Sequence, residues 1–250
     1  MRSVVTRSLL LSVLFCGAAT SVEAADPGPA AVQDATKDWD VSVSLGFSLT
    51  EGNSDTSLLA LGSNVEKTEG ADQWRFKLAG QYGQSDGVKD NQSITGEGQY
   101  RHRLSERWYG AGEVTGEHDD IADLTYRFVG TPSIGYYLLK LDDFRLALES
   151  GPAYVVEKQG GHAENYPAWS AVERLKWDIS PTSVIHQSFR AFVSLEDTRD
   201  SVLKNSLSLD NKIIGNLSLT LSLEHTYDNH PAAGAERNDL ALITGLKLAL

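Results

Sequence analysis

Residues 39–49 read WDVSVSLGFSL, and this stretch decides the fold. Apolar side chains occupy its odd positions, from Trp39 to Leu49, while aspartate and serine occupy most of the even positions. Because successive side chains of a strand point to opposite faces, a period of two indicates a strand with one apolar and one polar face. Glu51–Asp55 then ends the strand with turn-forming residues.

The same alternation recurs in about 12 segments that reach the C-terminus. Soluble strands have about five or six residues, and a tilted strand needs about 9–11 to cross a bilayer. The predicted segments, which match the longer class, are residues 39–50, 56–67, 73–84, 92–104, 107–118, 124–139, 143–157, 166–178, 183–196, 202–213, 216–227 and 237–250. We therefore predict an all-β fold over residues 39–250: a transmembrane, antiparallel, up-and-down β-barrel of about 12 strands.

The connections between the segments alternate in length. Those after even-numbered segments are tight: Thr68–Asp72, Ser105–Glu106, Lys140–Asp142, Ile179–Thr182 and Ile214–Gly215. Most of those after odd-numbered segments are longer and more polar: Ser85–Asn91, Asp119–Asp123, Lys158–Asn165, Asp197–Ser201 and Asp228–Glu236. Outer-membrane barrels combine short periplasmic turns with longer outer loops and an even strand count, which places both termini on the periplasmic side.

The tryptophans support the same orientation. Trp39, Trp74 and Trp108 begin odd-numbered segments, and Trp177 lies near the end of an even-numbered one. All four are predicted to form an aromatic girdle at the periplasmic interface, with Trp169 nearer the outer rim.

The polar positions of the strands predict the lining of the lumen. Both signs of charge occur there, so ion pairs across the lumen and a narrow or plugged interior are expected. The predicted inward residues are Arg75, Lys77, Glu97, Arg101, Glu113, Arg127, Arg145, Glu149, Arg174, Arg190, Lys204 and Glu224. Glu173 shares the parity of the outward residues, which a β-bulge or register change near Pro167 would resolve.

The N-terminus predicts export. Arg2 and Arg7 precede an apolar stretch, Leu9–Ala19, that is too short to span a bilayer as a helix, and Val22–Ala24 suits cleavage. We predict a signal peptide at residues 1–24, a flexible leader at 25–38, and location in the outer membrane. Cys16, the one cysteine, would leave with the signal peptide, which excludes disulfides and thiolate chemistry in the mature chain.

The net charge of the chain limits the classes of partner that it can bind. A formal net charge of −12 gives no electrostatic basis for nucleic-acid binding. The expected partners are outer-membrane lipids, lipopolysaccharide and, during biogenesis, the barrel-assembly machinery.

The first hairpin carries a family resemblance. Leu45–Thr56, with its Gly-Asn-Ser-Asp-Thr turn, and the later Trp74-Arg75 and Tyr100-Arg101 positions resemble uncharacterised outer-membrane proteins labelled salt-induced. This resemblance implies a β-barrel in the outer membrane. It implies no activity, ligand, cofactor or functional residue.

Two groups of residues are candidates for catalysis or for binding a metal ion. His186 and Ser188 lie two apart on one strand, so the imidazole could act as base for the hydroxyl, as in outer-membrane lipid hydrolases. Both side chains have inward parity near the periplasmic end, however, which favours polar lumen residues. Glu117-His118-Asp119-Asp120, with Asp123, could hold Ca²⁺ or Mg²⁺ but lacks the spacing of a calcium loop, which favours a solvated loop.

Three functions remain open from the sequence. The first is a non-enzymatic outer-membrane barrel without cofactor or metal, either a narrow channel or an envelope-stabilising component. The second is a lipid hydrolase that uses Ser188 and His186. The third is a soluble exported β-sandwich that binds carbohydrate.

Overall fold

The computed structural model describes residues 39–50, 56–229 and 237–250. The predicted signal peptide and leader lie outside these ranges. Within them, no helix is long and apolar enough to cross a membrane.

Twelve strands, in chain order, make up the fold. Their bounds are β1 Asp40–Thr50, β2 Thr56–Glu69, β3 Asp72–Ser85, β4 Val88–Arg103, β5 Trp108–Asp119, β6 Leu124–Lys140, β7 Phe144–Gln159, β8 His162–Ser180, β9 Ser183–Ser194, β10 Ser201–Ile214, β11 Leu217–Asp228 and β12 Asn238–Ala249. Each of the twelve predicted segments corresponds to one of these strands.

The sheet is a closed antiparallel barrel in which every strand pairs with its neighbours in sequence. β1 closes the barrel against β12, from Ser42 opposite Ala249 to Phe47 opposite Thr244. Closure pairs the backbone of both outer strands, so no sheet edge is left open. The barrel prediction is confirmed, and the β-sandwich alternative is wrong because one sheet closes on itself.

We call the end that carries residues 40 and 249 the inner end and the opposite end the outer end. The inner connections are short, as predicted: residues 70–71, 104–107, 141–143, 181–182 and 215–216. Two outer connections are shorter than predicted. Asp86-Gly87 and Gly160-Gly161 each join two strands directly, in place of the loops expected at 85–91 and 158–165.

Backbone conformation explains this difference. Asp86 and Gly87 have φ of 50° and 77°, and Gly160 and Gly161 have 57° and 78°. Two successive residues with positive φ make the type I′ turn that suits the right-handed twist of a two-stranded ribbon. The polar residues beside these turns therefore continue the strands.

β8 also differs from its prediction. It begins at His162 instead of residue 166, and its pairing with β7 runs without interruption past Pro167. No bulge re-aims Glu173, which lies opposite Leu148 and Phe189, both exposed on the outer surface of the barrel. A carboxylate therefore stands on the apolar outer surface, and the proposed register change is wrong.

Aromatic side chains ring the inner end of the outer surface. Trp74 packs against Tyr100 with ring centroids 5.6 Å apart, and Trp108 packs against Tyr136 at 4.7 Å, both pairs with tilted rings. Trp177 contacts Phe144 edge-on at 6.4 Å. These positions match the predicted girdle.

A second aromatic level lies towards the outer end. Three strands carry outward aromatics eight residues apart: Trp74 and Tyr82 on β3, Phe128 and Tyr136 on β6, and Trp169 and Trp177 on β8. Eight residues span about 26 Å along a strand. After the usual tilt of about 35–45°, this corresponds to about 20 Å along the membrane normal, somewhat less than the apolar band of about 25 Å in outer-membrane barrels.

Candidate functional site: the barrel lumen

Charged side chains fill much of the lumen, as the strand parity predicts. Of the twelve predicted inward residues, ten are buried, and Arg127 and Lys204 are partly buried. In a barrel immersed in lipid, such burial means enclosure by the barrel wall and by other lumen residues. The lumen is therefore the candidate functional site.

Two carboxylates organise a central cluster. Glu113 on β5 accepts hydrogen bonds from the guanidinium of Arg190 on β9, from Arg174 at 3.4 Å and from Gln99 at 2.9 Å. Because Arg190 lies 77 residues from Glu113 in the sequence and four strands away in the barrel, this contact reaches across the lumen.

Glu149 on β7 is the second centre. Arg101 approaches its Oε1 atom at 2.8 Å, and the Tyr109 hydroxyl donates to the same oxygen at 2.8 Å, while Arg174 lies 3.3 Å from Oε2. Arg174 thus bridges the two carboxylates. Removing one partner of such a buried set leaves an uncompensated charge, which costs about 3–5 kcal/mol.

The cluster continues along β2, β3 and β4. Arg75 donates to Glu66 at 2.9 Å and to Gln99 at 3.3 Å. Lys77 lies 3.8 Å from Glu97. We call the residues Glu66, Arg75, Lys77, Glu97, Gln99, Arg101, Tyr109, Glu113, Glu149, Arg174 and Arg190 the charged cluster; they lie on β2–β5 and β7–β9.

The opposite wall has a different lining. β1, β2 and β10–β12 present serine, glycine and alanine to the lumen, and a cavity of about 100 Å³ remains there. We call this lining, Ser42, Ser44, Gly46, Ala60, Gly62, Ser208, Ser222 and Gly245, the small-residue wall. The short side chains of this wall leave the space open.

The cavity leads towards the inner end. Asp210 and Lys247 line both this cavity and a second one of about 320 Å³ at the inner mouth. Lys247 donates to Asp210 at 2.9 Å, and Thr220 donates to the same carboxylate at 2.6 Å. One ion pair therefore stands between the inner mouth and the small-residue wall.

His186 and Ser188 both face the lumen and are buried, as their parity predicts. The Nε2 atom of His186 lies 4.0 Å from a carboxylate oxygen of Asp210. His186 also lines the inner cavity, so it stands beside the ion pair of Asp210 and Lys247. This position suits a polar lumen residue.

The acidic group Glu117–Asp120 lies at the loop between β5 and β6 and forms hydrogen bonds within it. Asp119 accepts hydrogen bonds from the backbone N–H groups of Ile121 and Ala122, both at 2.9 Å. Asp120 binds Lys89 at 3.1 Å and His118 at 3.0 Å, and the hydrogen bond from Lys89 lowers the pKa of the Asp120 carboxyl. Across the described ranges, no three His, Cys, Asp or Glu side chains are arranged to hold a metal ion.

An apolar patch inside the outer end was not predicted. Val129, Ala153, Val155 and Ala168 pack together there with Tyr166 and Phe192, and most of them line a cavity of about 290 Å³. In the sequence, this patch is indicated by apolar residues at both inward and outward positions, as in Ala153–Val156. That run shows that both faces of β7 are apolar near its outer end.

The comparisons with known proteins support this architecture. No curated protein matches the sequence. A family model described as a protein of unknown function, DUF481, matches residues 43–249. The chain belongs to this family. The match covers nearly the whole barrel and carries no assigned activity.

Solved structures share the fold of this DUF481 member. The NanC porin is 9% identical, with a TM-score of 0.56 over 84% of this chain and 100% of that chain. An outer-membrane channel from Pseudomonas putida F1 is 11% identical, with a TM-score of 0.54 over 90% of this chain and 99% of that one. At such low identity, the similarity establishes the outer-membrane β-barrel fold alone.

Proposed function

We propose that this protein is a non-enzymatic barrel of the outer membrane that forms a narrow channel for small polar solutes. The observation that carries the proposal is the division of the lumen. The charged cluster occupies one side, and the small-residue wall leaves a cavity lined by serine, glycine and alanine on the other.

The outer surface supports the membrane location. Large apolar side chains are about half exposed around the barrel, including Leu45, Phe76, Val114, Phe128 and Leu242. Monomeric soluble proteins rarely expose contiguous apolar patches above a few hundred Å². The two levels of outward aromatics bound this surface, so contact with outer-membrane lipids and lipopolysaccharide is part of the proposal.

The lining supports passage of small polar solutes. Hydroxyl groups and the Asp210–Lys247 pair can replace hydration, while the charged cluster limits the width. The channel-forming proteins that share this fold make the role plausible, although their specificity does not transfer to this chain.

The channel is tested by planar-bilayer conductance of the mature protein, with Ser208→Trp as the blocking variant. Ser208 is buried on the lumen side of β10, so an indole there would fill the cavity. Leu209→Trp is the matched control because Leu209 points outward on the same strand. Heat-modifiable gel mobility confirms that each variant folds.

We expect small conductance steps from the wild-type protein, a loss of at least half of the conductance in Ser208→Trp, and no change in Leu209→Trp. A folded wild-type barrel without conductance would favour the envelope-stabilising role. Equal conductance in both variants would place the passage elsewhere.

The lipid-hydrolase alternative is tested by Ser188→Ala. If His186 and Ser188 form a catalytic pair, this variant loses esterase activity that the wild-type protein shows on phospholipid micelles. We expect no activity above background in either protein.

A further inference from the structure

Four cationic side chains converge on the lumen at the inner end, away from the passage proposed above. Arg101 and Arg103 come from β4, Lys140 from β6 and Arg145 from β7, and all four line a cavity of about 50 Å³. Asp72 is the one carboxylate that lines this cavity within the described residues. We call the four cations the basic mouth.

A β-bulge brings Lys140 into this group. The register of β6 against β7 shifts between Tyr137 and Leu139, so Leu138 and Leu139 are both exposed and Lys140 lies opposite Arg145. An extra residue in a strand re-aims the side chains that follow it. Without the bulge, Lys140 would point outward.

Aromatic rings hold two of the cations in place. The Arg101 guanidinium lies 5.5 Å from the ring centre of Tyr109, and the Lys140 ammonium lies 5.2 Å from that of Tyr137. Lys140 also donates to the backbone oxygen of Glu106 at 3.0 Å. The cationic groups are therefore positioned before any ligand arrives.

In the described part of the chain, four cations and one carboxylate line the cavity of the basic mouth, although the chain as a whole is acidic. Glu149 binds Arg101 at 2.8 Å but is shared with Arg174 at 3.3 Å. Asp72 accepts hydrogen bonds from Tyr100 at 2.6 Å and contacts His102 at 2.7 Å. Like charges held together in a partly dehydrated space repel each other, and a bound anion would relieve that repulsion.

We propose that the basic mouth binds a small phosphate-type oxyanion that enters from the inner end. Arginine forks match the geometry of such an anion, and Lys140 supplies a point charge. A cavity of about 50 Å³ accommodates one oxyanion group and little more. The site does not depend on conduction, because it lies against β4–β7 and not along the small-residue wall.

The test is calorimetric titration of the folded protein, in an uncharged detergent, with inorganic phosphate. The test variants are Lys140→Gln and Arg103→Gln, both at exposed positions, and heat-modifiable gel mobility checks that each variant folds. The matched control is Lys67→Gln. Lys67 also belongs to the inner end and lies 5.7 Å from an aromatic ring, that of Trp39, but on the outer surface.

We expect one phosphate per barrel, at least tenfold weaker binding in Lys140→Gln and Arg103→Gln, and a change of less than twofold in Lys67→Gln. Absence of binding to the wild-type protein would overturn the proposal. An equal loss in Lys67→Gln would also overturn it, because general charge attraction would then explain the binding.

A lipid phosphate is the alternative source of the same chemistry. Phosphatidylglycerol in mixed micelles separates the two sources. If this lipid binds and inorganic phosphate does not, the mouth recognises a headgroup and the free-oxyanion proposal is wrong.

Discussion

The charged cluster and the small-residue wall are built on the same kind of strand. Both alternate apolar outward residues with polar inward residues, and both belong to one continuous sheet. They differ in the length and charge of the inward side chains. The long side chains of the charged cluster meet across the lumen and bind one another, whereas the short side chains opposite them leave a cavity. The proposed function therefore places stability and passage on different sides of one barrel.

The largest expected effect comes from breaking the charged cluster. Glu149→Ala leaves Arg101 and Arg174 without a shared carboxylate, so we expect the free energy of unfolding to fall by about 3–5 kcal/mol. Urea unfolding in lipid vesicles, followed by tryptophan fluorescence, measures this change.

Glu173→Ala is the matched control, since Glu173 stands on the outer surface one strand away. Removing a carboxylate from the apolar band should stabilise the barrel by about 1 kcal/mol. Equal destabilisation by both variants would contradict the assignment of inward and outward faces.

A second, smaller effect concerns the packing of the cluster. A methyl group at Gly135 would lie 2.1 Å from Cζ of Tyr109, the residue that donates to Glu149. Gly135→Ala should therefore displace Tyr109 and cost about 1–3 kcal/mol in the same unfolding assay. Gly130→Ala on the same strand has no atom within 4 Å of the added methyl and should change stability little. A cost no greater than that of Gly130→Ala would show that Tyr109 is not held by packing.

The small-residue wall should tolerate truncation. Ser208→Ala removes one hydroxyl from a wall that surrounds open space, so we expect the free energy of unfolding to change by no more than about 0.5 kcal/mol. A loss of stability comparable to that of Glu149→Ala would remove the distinction between the two sides.

The smallest effect comes from an exposed ion pair at the outer end, which shows what a charge pair contributes when water screens it. The hydrogen bond from Lys89 holds the pKa of Asp120 below its ordinary 3.8. The stabilisation is therefore present above that ordinary pKa and is lost as the pH falls through the lowered value. The unfolding midpoint of Lys89→Gln should lie slightly below that of the wild-type protein at neutral pH and coincide with it in strong acid. A difference that persists unchanged in acid would show that the pair is not its source.

The sequence predicted the barrel well because the decisive signal is local. The alternation of Trp39–Leu49 reports which face of each strand is apolar, and repeated strands of this length leave few architectures. The family resemblance of the first hairpin agreed with the match that covers residues 43–249.

The details that failed depend on local backbone geometry. Asp86-Gly87 forms a type I′ turn inside a predicted loop. The loop was predicted too long because polar residues occur both in solvated loops and in strands that extend beyond the apolar band of the membrane. The bulge before Leu139 reversed the parity that Lys140 would otherwise have.

The sequence predicted which residues face the lumen and that ion pairs form there, but not which residues pair. Parity placed Glu113 and Arg190 inside, but their pairing depends on closure of the barrel across 77 residues. The space along the small-residue wall likewise follows from three-dimensional packing and is invisible in any one strand.

The most direct test of the two-sided lumen compares two inward serines, one on each side. Ser222→Cys lies on the small-residue wall, and Ser170→Cys lies on β8, four residues before Arg174 of the charged cluster, where the serine is buried. Each mature variant is assayed in a planar bilayer with a charged thiol reagent, and the mature wild-type protein controls for block that does not depend on the introduced cysteine. The account predicts that the reagent blocks the current through Ser222→Cys and leaves Ser170→Cys unaffected. Block of Ser170→Cys with an unchanged current through Ser222→Cys would contradict it.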